Sequence, residues 1–170
     1  MNLGPVHLFL VVVAVQRLAE LAWSYRNERR LRAAGAVEHG SRHYPAIVAL
    51  HVLLLVVLWA RAEAEQAPVL PWFLVWLGLQ PLRIWVIASL GERWTTRVLV
   101  LRDAPLVVRG PYRWLRHPNY LIVLVEVPTV AAACDEPVVA LLFGAANAVL
   151  LALRIRVEDR ALGRQPARRG

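Results

Sequence analysis

The sequence predicts an all-α fold, a polytopic membrane helical bundle of about five transmembrane helices with a short cytoplasmic extended or hairpin segment. Three observations carry that prediction. Apolar runs recur at Leu3 to Trp23, Tyr44 to Ala60, Val69 to Leu90, Pro118 to Cys134 and Pro137 to Leu153. Spanning takes about 20 residues, with about 17 at the short end, so the second, fourth and fifth runs are short spans. Hydrophobic residues form 58% of a 170-residue chain, which is too apolar for an ordinary soluble domain and too short for two large ones. Finally, the charge alternates from one connection to the next.

All 20 basic residues are Arg, and the net charge is +8. Arg26, Arg29, Arg30, Arg32 and Arg42 lie between the first two runs. A second group, Arg93 to Arg116, lies between the third and fourth, and a third occupies the tail after Arg154. The other connections, Arg61 to Gln66 and Asp135-Glu136, are poor in positive charge. Five spans with the N-terminus outside and the C-terminus cytoplasmic put every Arg-rich segment on the inner face of a membrane, in a bacterial cell the plasma membrane. Arg clustered between apolar runs, and not spread over a soluble face, argues against a nucleic-acid partner. Cys134 is the single cysteine, so neither a disulfide framework nor a cysteine metal site is expected.

The first run lacks a basic leader and a small-residue cleavage site, and reads as a retained span. It ends with Arg17 and Glu20 three residues apart on one helix face. Helical register continues through Asn27 to Leu31 and breaks near Gly35 and Gly40. The third run holds Pro81, which cannot donate a backbone hydrogen bond, and Arg83, which must pair or snorkel. From Trp94 to Val108 the pattern changes to two β-prone stretches around Arg102-Asp103-Ala104-Pro105. It reads as a short hairpin or two extended arms, serving as a lid or a connector. The fourth and fifth runs flank a tight turn at Asp135-Glu136-Pro137 and form an antiparallel hairpin. The start of one therefore meets the end of the other, and His117 and Tyr120 should face Arg154 and Glu158.

The stretch Arg109 to Tyr120 sets Arg, His, Tyr and Trp side chains against the start of an apolar helix, where polar groups are costly unless they hold something. Pro118 suits the first helical position, which makes His117 the cap residue. The free N–H groups of that helix start, with Arg113 and Arg116 nearby, form a site for an anion such as a carboxylate. Interfacial anchoring of ordinary membrane helices is the alternative reading of the same residues.

Gly110-Pro111-Tyr112-Arg113 with Arg116-His117-Pro118-Asn119-Tyr120, then a helical hairpin, then Arg154 with Glu158-Asp159 and Leu162, resembles the isoprenylcysteine carboxyl methyltransferase family. That family is related more distantly to membrane phospholipid methyltransferases. The resemblance covers roughly residues 91 to 165; the first three spans are similar only in hydropathy. It implies a single membrane domain, with three N-terminal spans (1–90) and a cofactor-binding core (91–170). It also implies that the Arg-His-Pro-x-Tyr segment and a late acidic pair hold S-adenosylmethionine while a lipophilic acceptor enters from the bilayer. By position, Arg116, His117, Pro118, Asn119, Tyr120 and Glu158 are assigned to the cofactor. Asp159 stands where the family has a second Glu.

S-adenosylmethionine carries a carboxylate, an ammonium, a sulfonium and a flat base. A helix N-terminus with Arg and His, a Glu, and aromatic faces match these groups, and no metal is required. The expected reaction is methyl transfer to an oxygen of a lipophilic small molecule, with a long-chain phenolic or polyketide lipid favoured. Prenylcysteine carboxylate, a phospholipid amine, or a non-enzymatic role as transporter or scaffold are the alternatives. A carboxylate acceptor needs an Arg to place it, for which Arg154 is the candidate. A phenol needs a base, for which Glu126 is the candidate, about nine residues and about 13 Å of helix rise past His117. The alternative for Glu126 is an ion pair with Arg17 or Arg83. His43 and His51 are further candidates for the base, with packing or interfacial roles as the other reading.

The charge pattern makes a direct prediction. A reporter fused to the C-terminus should read cytoplasmic, and one inserted in the Ala62 to Gln66 loop should read external; finding both on one side would sink the five-span arrangement.

Overall fold

The structure, a computed structural model, describes residues 3–101 and 104–163. Five helices dominate it: α1 (Pro5–Ala33), α2 (Tyr44–Arg61), α3 (Leu70–Leu90), α4 (Pro118–Ala133) and α5 (Pro137–Leu162). Each carries a proline in one of its first two positions, where the missing N–H would have no helical partner and the fixed φ already suits a helix. α1, α2, α3 and α5 are long and apolar enough to cross a bilayer, which makes this an integral membrane protein. α4 has 16 residues, or about 24 Å of rise, against a hydrocarbon core of about 30 Å.

The bundle is layered along its length. At the end holding the start of α1, Val6, Phe9, Leu10 and Val13 line one face at helical spacing. They pack with Leu54 and Leu58 of α2, Trp76 of α3 and Val130 of α4. Phe9 meets Phe73 and Trp76 edge to face, with ring centroids 5.7 and 5.1 Å apart. Gln66, in the α2–α3 connection, closes this end: its carbonyl accepts from Val6 N–H and its amide donates to the Cys134 carbonyl at 2.7 Å.

The next layer is ionic. Glu126 of α4, 1% exposed, takes Arg17 of α1 and Arg83 of α3 on one oxygen. Glu20 receives the same two guanidinium groups at 2.8 and 3.0 Å, and Gln16 donates to it at 3.0 Å. Two cations and two anions cancel, so the cluster is neutral as a whole. Arg83 is therefore paired, as its depth in α3 demanded.

α4 packs mainly on α3 and α5. Ala131 and Ala133 are fully buried there, and small residues let helix backbones approach. A Cβ on Gly144 would lie 3.2 Å from the Pro128 side chain, so glycine keeps α5 close to α4. The buried Asn147 amide reaches across to the Val123 carbonyl at 3.1 Å.

At the opposite end α1 outruns its apolar stretch, as the register of Asn27 to Leu31 predicted, and stops at Ala33 before Gly35 at φ +87°. The short strands β1 (Val37–His39) and β2 (Val98–Val100) pair antiparallel, with Glu38 opposite Leu99. This corrects the hairpin expectation. β2 takes its partner from the α1–α2 connection, and Leu106 to Arg109 form no strand. Arg102 and Asp103, where a turn was expected, lie outside the described residues. An isolated hairpin is marginal, whereas β1 brings charge partners: Glu38 pairs with Arg97 at 2.7 Å and with Arg32. The arrangement also seats Val98 and Val100 on Ala161 and Leu162 of α5.

Removing one member of a buried ion cluster strands its partners. Glu126→Gln should thus lower stability in detergent by on the order of 3–5 kcal/mol. Thermal unfolding and activity per folded molecule together check this. Unchanged stability with lost turnover would instead place Glu126 in the chemistry.

Candidate functional site

α4 begins as its sequence implies, with Pro118 first in the helix and His117 as the cap residue in a non-helical conformation. The His117 ring does not cap the helix. Its Nε2 lies 3.0 Å from Asp159 Oδ1 and its Nδ1 lies 3.9 Å from Glu158 Oε1, both on α5. The His117 and Tyr120 rings stack, with centroids 5.4 Å apart. The Tyr120 hydroxyl donates to Glu158 Oε2 and accepts from Arg154 Nε at 2.8 Å, while the Arg154 guanidinium lies 5.5 Å from the Tyr120 ring centroid. Arg154 and Glu158, one turn apart on α5, are joined through this hydroxyl. Arg154 is only 7% exposed and makes no ion pair among the described residues. Arg116 reaches Asp159 at 3.2 Å.

These side chains edge a cavity of about 500 Å³. One wall is polar, with Arg116, His117, Asn119, Tyr120, Arg154 and Glu158. The facing wall is mostly apolar and comes from β2 and the arm Ala104 to Val108. The described residues of the 94–108 segment thus contribute a wall of the cavity. The arm leaves Leu106 and Val108 more than half exposed.

The Gly110 to Arg113 turn brings a third side. Gly110 sits at φ +57°, and a Cβ there would lie 2.1 Å from Ser89 Oγ, so glycine alone lets this turn dock on the end of α3. Arg109 Nε donates to the Ser89 carbonyl at 2.6 Å, and Trp114 tilts against Trp85. Docking leaves Tyr112 facing the cavity, where burial and then the Glu158 carboxylate push its hydroxyl above the usual tyrosine range.

α1 anchors the opposite side. Fully buried Asn27 donates to the carbonyls of Gly91 and Trp94 at 3.1 and 2.9 Å, and Ser24 Oγ accepts from Thr96 N–H at 2.8 Å. Arg97 binds Glu38, lies 3.5 Å from Glu28, and sits 4.2 Å from the Tyr44 ring centroid. The hydrogen bond from Arg32, then the hydrogen bond and charge of Arg97, hold the Glu38 carboxyl below the usual range. His43 stands beside α5, and burial, then the Arg154 charge, lower its pKa.

Of the residues singled out from sequence, Arg116, His117, Asn119, Tyr120, Arg154 and Glu158 share this cavity. Pro118 is buried at the helix start and does not line it, and Glu126 lies in the ionic layer, away from the cavity walls. Asp159 engages His117 and Arg116. Trp94 and Arg97 also line the cavity and were missed. Their only sequence signal was position in a β-prone stretch after a helix end, because the residues that hold them, Asn27 and Glu38, lie far away in the chain.

The model of the isoprenylcysteine carboxyl methyltransferase (ICMT) family matches residues 72–164, from the first turn of α3 to just past α5. The chain is 39% identical to a Bacillus subtilis (strain 168) protein named "Uncharacterized protein YpbQ", over 91% of this chain and 95% of that one. It is 25% identical to an "Uncharacterized protein" of Haemophilus influenzae (strain ATCC 51907 / DSM 11121 / KW20 / Rd), over 91% and 92% of the two chains. No solved structure gives a significant match.

Proposed function

Because this chain belongs to the isoprenylcysteine carboxyl methyltransferase family, we propose that it is a membrane-embedded, S-adenosylmethionine-dependent methyltransferase. Its acceptor is an oxygen of a lipophilic small molecule, a long-chain phenolic or polyketide lipid. The observation that carries this reading is the cavity between the start of α4 and the end of α5, charged on one wall and apolar on the other.

The donor set fits the cofactor. The α4 N-terminus with Arg116 and His117 suits a carboxylate, and Glu158 suits an ammonium. Asn119 Oδ1 is buried without a hydrogen-bond partner among the described residues, an acceptor left for a ligand donor. When bound, S-adenosylmethionine supplies an activated methyl group on a sulfonium. The residues do the positioning. His117 and Tyr120 are braced by Asp159, Glu158 and Arg154, so their rings are oriented before any ligand arrives. Arg154, a buried cation with no carboxylate partner among the described residues, orients the acceptor oxygen. The apolar wall takes the acceptor's hydrocarbon and keeps water out. The Arg-rich connections support a cytoplasmic position for this chemistry.

A carboxylate acceptor is the second reading, and unpaired Arg154 is what favours it. The two readings differ in pH dependence. With Glu126 away from the cavity walls, turnover of a phenol should rise with pH as more of it ionises unaided, whereas a carboxylate, already ionised near neutrality, should show a flat profile.

Two sets of variants test the proposal on full-length protein in detergent. His117→Ala and Glu158→Ala should each abolish S-adenosylhomocysteine binding without unfolding the chain; wild-type affinity in either would refute the assignment. Arg154→Ala should keep that binding while lowering turnover by roughly 10²-fold or more, and unchanged turnover would remove Arg154 from the acceptor site.

A further inference from the structure

A second cavity, of about 380 Å³, lies between the ends of α1 and α3, with Arg30, Arg93, Arg109 and Glu92 in its lining beside Leu31 and Leu90. Glu92 pairs with Arg30. Arg93 and Arg109 make no ion pair among the described residues, and each is held by one carbonyl: Arg93 by Pro105 of the arm, Arg109 by Ser89 at the end of α3. Three cations against one anion leave the cavity two positive charges in excess. A guanidinium has five N–H donors, so one bond leaves most of each fork uncommitted, and that fork matches the oxygens of a phosphate. The forks are also close to one another in the fold. A Cβ on Gly91 would lie 3.5 Å from Arg109 Nη2, so Arg109 sits against the turn that carries Glu92 and Arg93.

The height of this cavity in a bilayer follows from the tryptophans. Trp23 and Trp85 are exposed near the ends of the apolar stretches of α1 and α3, and such rings sit at the boundary of acyl chains and headgroups. Arg30 lies seven residues past Trp23 and Leu90 five past Trp85, about 10 and about 8 Å of helix rise. The three guanidinium groups therefore stand among the lipid headgroups and not in the hydrocarbon. Arginines that serve only as interfacial anchors reach outward to separate lipids, whereas these three converge on one cavity.

The arm beside it argues for a lipid over a soluble anion. Val108, next to Arg109 in the chain, is 69% exposed, and Leu106 is 58% exposed. Apolar side chains placed so are covered by acyl carbons in a membrane and by nothing in water.

We propose that this cavity binds the phosphate of an anionic phospholipid headgroup through Arg30, Arg93 and Arg109. The excess charge sets the class: a zwitterionic headgroup brings its own cation to a place already two charges positive, and phosphatidylglycerol brings none. Arg93 holds the arm and Arg109 holds the Gly110 turn, so one phosphate between them braces two walls of the larger cavity. The proposal stands independently of the S-adenosylmethionine reading.

The test is native mass spectrometry of the detergent-purified full chain titrated with phosphatidylglycerol, phosphatidylcholine or glycerol 3-phosphate. The wild type should bind phosphatidylglycerol on the order of 10-fold more tightly than phosphatidylcholine. Arg30→Gln combined with Arg109→Gln should lose most of that preference. Glu92→Gln removes the one anion and frees Arg30, so it should tighten phosphatidylglycerol binding. Arg29→Gln is the control: Arg29 is exposed beside Arg30 in the chain but lines neither cavity, and its loss should leave the preference unchanged. Equal wild-type affinity for the two lipids would overturn the proposal, as would a double variant that keeps the preference. An equal loss in Arg29→Gln would also overturn it, by making the effect one of overall charge. Glycerol 3-phosphate binding as tight as that of phosphatidylglycerol would assign the cavity to a soluble anion instead. Should the Arg109 change unfold the chain, Arg30→Gln alone and Glu92→Gln decide, because they shift the charge of the cavity in opposite directions.

Discussion

A carboxylate inside an apolar bundle must be neutralised, and Glu126 is the point at which this chain meets that requirement. Its one engaged oxygen gathers Arg17 from α1 and Arg83 from α3, and Glu20 returns the balance of charge. Charges are far more costly to leave unpaired here than in water, so this cluster constrains the relative rotation of α1, α3 and α4. α1 lies outside the matched family region, and the cluster is what joins it to that region at mid-bundle.

The consequence is felt about two turns away, where α4 starts. α4 is shorter than its neighbours, and its first residues face α5 well before α5 ends. Polar groups at the start of α4 therefore meet polar groups on the flank of α5, His117 beside Asp159 and Tyr120 beside Glu158 and Arg154. The Tyr120 hydroxyl between Arg154 and Glu158 shows the economy of this arrangement: one group links a cation and an anion that share a helix face without touching.

The far wall depends on α1 in a second way. Beyond its apolar stretch α1 carries Ser24, Asn27 and Glu28, which hold Thr96, Trp94 and Arg97. β1 follows directly and closes the sheet onto α5. Wall and bundle are thereby one unit, which is how a segment with little helical or apolar character is kept in a defined position over the helix ends.

Much of this was legible in the chain itself. Apolar runs marked all five helices, and Pro118 marked the start of α4, because helix starts and membrane lengths are local properties. The tight turn at Asp135-Glu136 was enough to bring His117 and Tyr120 against Arg154 and Glu158, since an antiparallel hairpin has only one alignment of its ends. What the chain could not reveal was choice among distant partners. Glu126 could have served as a base or paired with either of two arginines, and only packing of three helices chose both arginines. β2 could have paired with the residues that follow it, yet took β1, because Glu38 and the contact with α5 outweigh the shorter loop. Trp94 carried no motif, and its place in the cavity follows from Asn27, which lies 67 residues earlier. Periodicity and composition act within a few turns of chain, whereas pairing of charges and strands is settled by which elements the folded bundle brings together.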